Sequence, residues 1–262
     1  MERRIYSEGS IRNRRGRFLE PIGWILSIFT MLLLWSLLSF MNREIVPDPV
    51  SSFAYMLQLK SYDLIENISI TLANSVEGFL IALLLSMLLL SASHASSIVK
   101  SIINSMNTVL QSVSVLVWTI IFVLIFGVLS RMPSILVTAV TVLPVMLSNL
   151  VTSLENVDKR YLEMVRILGA NWKQELVEVV IPSSIPYLIS ASRAGFGLAL
   201  RISVVAEAFG SNGGIGFMII HSYNLMDTKG VFSWSLVLVI LMIAIDQLVL
   251  RPAERYMMRW RI

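Results

Sequence analysis

The stretch YLEMVRILGANWKQELVEVVIP, residues 161–182, separates two long apolar runs. Before it, Pro133–Val151 carries no charged residue, and after it Ser183–Ala206 is mostly apolar with two arginines. Within the stretch, Tyr161, Val165, Leu168, Trp172, Leu176 and Val179 recur at spacings of three and four, the period of a helix. Charged residues, among them Glu163, Arg166, Lys173, Glu175 and Glu178, fill much of the remainder. A connection between membrane spans does not need such a pattern. Two uses fit it: a docking surface for another protein, or a helix lying flat on lipid headgroups.

The flanking runs set the class. The chain is 56% hydrophobic and only 15% charged, with a mean hydropathy of +0.75, well outside the soluble range. Six apolar runs, 22–40, 68–91, 99–126, 132–151, 183–206 and 232–250, approach the roughly twenty residues a bilayer requires. The expectation is an all-α polytopic membrane protein. It divides into a basic segment at 1–21, a first span and external loop at 22–67, a core at 68–250 containing the 152–182 loop, and a basic tail at 251–262. The basic leader and first run lack an Ala-x-Ala cleavage site and read as a retained helix. Residues 41–67, with Pro47 and Pro49, read as an external loop with one short surface helix.

Charge placement orients the spans. Arg3, Arg4, Arg12, Arg14, Arg15 and Arg17 precede the first run, and Arg251, Arg255, Arg259 and Arg261 follow the last. Lys100, Lys159, Arg160, Arg166 and Lys173 share that side, against Arg43, Lys60, Arg131 and Lys229 on the other. Both termini and the 152–182 loop are therefore expected in the cytoplasm of a plasma or inner-membrane protein. This topology also accounts for the net charge of +4, so no nucleic-acid partner is expected.

Several enzyme chemistries are excluded. The chain has no cysteine, so thiol catalysis and thiolate metal sites are impossible. His94 and His221 are isolated, and no metal-ligand spacing or nucleophile motif occurs. The glycines of 210–216 lack the lysine and hydroxyl that complete a phosphate-binding P-loop, and read as a tight turn above the fifth span. Polar groups within the spans are the remaining candidates. Asn104, Asn107, Gln111, Ser112 and Ser114 suit either a hydrated pathway or hydrogen bonds between helices. Arg201 suits either an anionic substrate or an ion pair with Glu77, Glu207 or Asp246. Glu207 lies near the external end, where it could shape an outer gate, while Arg193 and Asp246 sit near span ends and are expected to snorkel. Asn107, Gln111, Ser114, Arg201 and Glu207 are thus the candidate pathway or gate residues.

The spacing of Glu163, Gly169 and Ile181-Pro182 resembles the cytoplasmic loop of binding-protein-dependent ABC importer permeases. That loop opens Glu-Ala-Ala, has glycine at position seven and closes Leu-Pro at nineteen and twenty, and from Glu163 the same positions hold Gly169, Ile181 and Pro182. Met164 and Val165 replace the alanines. A glycine there can end one short helix and let a second begin, and a proline fits the first turn of the following span. Ala206-Glu207, Gly213-Gly214-Ile215-Gly216-Phe217 and an apolar span ending in Asp246 resemble the nitrate/sulfonate/taurine-type subgroup, as do Thr71-Leu72, Ser75, Gly78-Phe79 and Phe126-Gly127. The resemblance covers about 68–260. One departure is Val115–Ile120, which lacks the proline that relatives often carry, so a straighter third helix is expected.

The resemblance implies a MetI-like type I importer permease that forms a translocation pathway with a second copy of itself. Its 158–179 loop would be a coupling helix docked on one of two ABC ATPase subunits, through Glu163, Arg166, Leu168, Gly169, Ala170, Trp172 and Pro182. ATP and Mg would belong to those ATPases; the chain itself would bind no cofactor and catalyse no reaction. A binding protein outside the cell would deliver a small anion such as nitrate, sulfonate or bicarbonate, or a small heterocyclic or aromatic nutrient. The alternative is an ATPase-independent secondary transporter or channel.

Overall fold

The computed structural model describes residues 23, 26–42, 45–93, 96–155, 164–165, 167–171, 174 and 181–257, and no strand occurs among them. Helix α1 covers Leu26–Met41. It is followed by α2 (Pro49–Gln58), α3 (Ser61–Ser93), α4 (Ser97–Ser112), α5 (Val115–Phe126), α6 (Met132–Glu155), α7 (Ile181–Gly210), α8 (Ile215–Asn224), α9 (Thr228–Ile245) and α10 (Arg251–Met257). One π-helical turn, Asp246–Leu250, joins α9 to α10.

The environment of the bundle can be read from α3. Its buried residues are Asn67, Thr71, Asn74, Ser75, Gly78, Ala82 and Ser86, all small or polar. Leu80, Leu84 and Leu88 face outward and are exposed. A helix in water reverses that arrangement. In hydrocarbon it is favourable, because leucines meet lipid while small residues let backbones approach and polar ones bond within the protein. Gly78 shows the closeness: a Cβ there would stand 2.7 Å from the Cβ of Thr138 on α6.

Helix α7 runs antiparallel to α3 and α6 at the centre. Ala82, Val142, Leu143, Met146 and Ala199 form the shared core, and Phe79 meets Phe196 edge-on at 5.5 Å. Trp118 and Phe122 of α5 pack on Val137, Ile202 and Ala206. Ile215, Trp234 and Val237 build a second core between α8 and α9, closed by Met56 of α2 and Leu64 of α3. The bundle therefore has an α8 end, carrying α2 and the start of α3, and an α10 end, carrying the start of α7.

Among the described residues four helices are long and apolar enough to cross a membrane: Ser61–Ser93, Met132–Thr152, Leu188–Gly210 and Thr228–Tyr256. The short surface helix expected within 41–67 is α2, started by Asp48, whose carboxylate accepts the Ser51 amide at 3.0 Å, with Pro49 at its first position. The second span begins at Ser61, ahead of the apolar run, because its polar first turns continue the helix past the hydrocarbon.

The third span needs correction. It is not one straight helix over 99–126 but the pair α4 and α5, bent by 92°. Val113 (φ −85°, ψ 128°) and Ser114 (φ −63°, ψ 143°) are both extended, and two such residues break a helix without any proline. Helix α1, at Leu26–Met41, is also shorter than the other spans among the described residues.

Candidate functional site

The described residues of the loop, 164–165, 167–171 and 174, form a knuckle. Met164, Val165 and Ile167 are helical, and the turn closes with Leu168 N donating to Met164 O (3.2 Å) and Ala170 N to Val165 O (3.2 Å). Gly169 stops it at φ +82°, the left-handed conformation a glycine adopts without strain. Asn171 then opens the next turn. Its side chain accepts the Gln174 amide (3.0 Å), and the Gln174 side chain accepts the Asn171 amide (2.9 Å), a reciprocal capping box that sequence reading passed over. The Asn-x-x-Gln spacing was there to be seen. Ile167 and Leu168 are 86% and 80% exposed, and Met164 is exposed beside them. Ala170 is half-buried, and Pro182 is the second residue of α7. Glu163, Arg166 and Trp172 lie outside the described residues.

At the α8 end the chain closes around Glu207, which is fully buried. Its carboxylate accepts from Thr71 Oγ1 (2.8 Å), Asn74 Nδ2 (2.9 Å), Ser203 Oγ (3.1 Å) and the Gly216 amide (3.3 Å). Thr71 also accepts the Ile215 amide at 2.8 Å, and Asn67 accepts that of Gly214 at 2.8 Å. Asn67, Thr71 and Asn74 follow the helical repeat of α3, so one face of that helix clamps the α7–α8 turn. Gly214 has φ +106°, and a Cβ on it would collide with the Glu207 carboxylate. The tight turn expected over 210–216 is therefore present, held from below by the acid. Asn74 Oδ1 in turn accepts from Arg131 Nε (2.9 Å), and Arg131 pairs with Glu77 at 3.0 Å.

At the α10 end Arg193 is held by two acids. Its guanidinium pairs with Asp246 (2.8 Å) and Glu254 (2.6 Å), and Asp246 also takes Arg251 Nε at 2.9 Å. The π turn makes this possible: it carries a backbone bond from Arg251 N to Asp246 O, bringing two residues five apart onto one side. Ser190 adds a bond to Glu254 at 3.2 Å.

With Glu77, Glu207 and Asp246 all engaged, Arg201 has no ion pair among the described residues and is exposed. It lies nine residues before Gly210, roughly 13 Å into the span. With Arg193, Gly197 and Met242 it lines a cavity of about 570 Å³ between α7 and α9. Asn107 donates to Ser148 of α6 at 3.0 Å, an interhelical bond that leaves its Oδ1 buried without a partner. Gln111 and Ser114 are exposed, Ser114 at the break between α4 and α5. The five pathway candidates thus fall in three places within one chain and do not converge on a single pocket.

A bundle with small and polar residues inside and leucines outside is that of a multi-pass membrane protein. The chain belongs to the family of binding-protein-dependent transport system inner membrane components, whose profile matches residues 78–251. An aliphatic sulfonates transport permease of Bacillus subtilis is 30% identical over 113 residues, 43% of this chain and 41% of that protein. A nitrate import permease of Synechococcus elongatus is 30% identical over 91 residues, 35% and 33% of the two chains. The chain thus spans less than half the length of these curated relatives. Two solved transporters share the MetI-like fold, each match covering 78% of this chain and 98% of the other. They are an amino acid ABC transporter with histidines (TM-score 0.66, 17% identity) and the inward-facing MetNI methionine transporter (TM-score 0.62, 21% identity).

Proposed function

We propose that this chain is the membrane-spanning subunit of an ATP-driven importer, working as a pair of identical copies around a shared pathway. The α8 end faces outside and receives substrate from a binding protein. The α10 end faces the cytoplasm, where residues 158–179 dock on one ATPase subunit per copy. The observation that carries this reading is the knuckle: two capped turns joined at Gly169, with Met164, Ile167 and Leu168 presented to solvent. Apolar side chains on a rigid turn suit a groove on another protein. A lipid-surface helix would have no need of the break. ATP and Mg are held by the ATPase, whose closure pulls the knuckle and, through α7, shifts the bundle between inward- and outward-open states.

The cargo is a small anion, in line with the sulfonate and nitrate named for the two relatives. Arg201, without an ion pair among the described residues, supports this, because a guanidinium deep in a span requires water or an anion beside it. Co-purification of the tagged chain with a co-expressed ABC ATPase from the same organism tests the docking. Gly169→Arg and Leu168→Asp, both inserted in the membrane, are expected to lower recovery of the ATPase by about tenfold or more. Undiminished recovery with both variants would overturn the coupling assignment and favour the ATPase-independent alternative.

A further inference from the structure

Where α1 ends and α2 and α9 begin, there is a cavity of about 450 Å³ whose lining includes Ser39, Phe40, Asp48, Ser51 and Lys229. Its wall is fixed by Trp35, which donates to Pro47 O (3.0 Å) and stacks on Phe232 with centroids 5.5 Å apart. Asp48 caps α2, and Lys229 sits in the first turn of α9, so two helix N-termini meet here. The two residues carry opposite charges in one cavity, yet neither makes an ion pair among the described residues. They do sense each other. Ser51's hydrogen bonds hold the Asp48 carboxyl below its ordinary value, and the Lys229 charge lowers it further.

Ser39 is a second, independent sign. It is 4% exposed, and its hydroxyl has no hydrogen-bond partner among the described residues. Elsewhere in this region Ser27 and Thr30 bond the carbonyl one turn back, at 2.8 and 2.7 Å, as buried or apolar surroundings require. Ser39 keeps its hydroxyl for the cavity. The end of α1 beside it is apolar: Phe40 lines the cavity, and Leu37, Phe40 and Met41 are all more than half exposed.

We infer that this cavity holds the headgroup of a zwitterionic phospholipid. The ammonium lies at Asp48, the phosphate at Lys229 and the Ser39 hydroxyl, and the acyl chains run along the exposed flank of α1. A headgroup of one sign would leave one of the two charges unmatched, and a soluble zwitterion would leave the apolar end of α1 in water. The bound lipid would brace α1 against α2 and α9. This inference does not depend on the cargo or on the ATPase.

The test is native mass spectrometry of the full chain released from bilayers of equal phosphatidylethanolamine and phosphatidylglycerol. Wild type is expected to retain phosphatidylethanolamine preferentially. Asp48→Asn keeps the helix cap while removing the charge, and Lys229→Gln removes the other; each is expected to reduce that preference about fivefold. Ser39→Val is expected to reduce it less. Size-exclusion profiles matching wild type show that the variants are folded. Equal retention of both lipids by wild type, or a preference unchanged in Asp48→Asn and Lys229→Gln, would overturn the inference. Displacement of the lipid by an equal concentration of soluble phosphoethanolamine would overturn its lipid origin.

Discussion

The two ends of α7 are tied to the rest of the bundle by opposite means. At the α8 end a single acid, Glu207, is fully buried and satisfied by four donors, none of them a cation. At the α10 end Arg193 meets two acids, and the side chains of Arg193 and Asp246 remain about one-third exposed. A buried acid in a closed shell of dipoles does not respond to salt, and each partner is lost at the full desolvation penalty. Partly exposed ion pairs are screened and can be released and remade. The rigid tie lies far from the knuckle. The releasable one is on the same helix end as the knuckle, where any movement transmitted from residues 164–174 arrives first.

Removing Glu207 should produce the largest effect. Glu207→Ala strands Thr71, Asn74, Ser203 and the Gly216 amide together, a loss of about 3 kcal/mol or more. It is expected to abolish a monodisperse species in detergent, whereas Glu207→Gln, which keeps the shape and part of the bonding, should retain one. Equal melting of Glu207→Ala and wild type would remove the distinction between the two ends. Gly214→Ala probes the same knot from outside. Its Cβ would press on the carboxylate from a backbone at φ +106°, and the expected loss is about 1–3 kcal/mol. A thermal scan by fluorescence-detected size exclusion measures both.

Arg193→Ala comes next. It breaks two of the three pairs at the α10 end, leaving Arg251 on Asp246, and partial exposure limits the loss to about 1–2 kcal/mol. The sharper readout is salt. Raising ionic strength to roughly 1 M should lower the wild-type melting point toward that of Arg193→Ala and leave the Glu207→Gln difference unchanged. If salt shifts wild type and Arg193→Ala equally, the cluster is not an electrostatic tie.

What could be read in the sequence follows the range of the interaction. Gly169 with Pro182 set the knuckle because a left-handed glycine and a first-turn proline are local facts, and the short helix α2 was expected beside Pro47 and Pro49, while its cap at Asp48 was missed. The break at Val113 and Ser114 was not legible, since neither residue is a conventional breaker and the apolar run continues across it. Nor were the partners of the intramembrane charges. Arg193 finds Asp246 and Glu254 more than fifty residues away, and Arg131, counted only as a loop charge, closes on Asn74 and Glu77 of α3. The knot around Glu207 had a visible half, the Asn67, Thr71, Asn74 stripe, but only the fold brings α8 onto it.

The smallest effect separates place from burial. Tyr55 of α2 donates to Asp227 Oδ2 at 2.9 Å at the same end as Glu207, but only half-buried, and Asp227 also caps α9 through the Gly230 amide at 3.0 Å. Tyr55→Phe should lose about 0.5–1 kcal/mol, far less than Glu207→Ala. The Asp227 hydrogen bond, and secondarily burial, holds the Tyr55 phenol above its ordinary value of 10.0. A pKa raised in the folded state means the contact is at full strength below that ordinary value and is lost as pH rises through the raised one. Melting of wild type should therefore fall relative to Tyr55→Phe only above about pH 10. The difference should be constant below it. A Tyr55→Phe loss as large as that of Glu207→Ala would mean that the α8 end is sensitive everywhere, and that burial of the acid is not what makes its tie rigid.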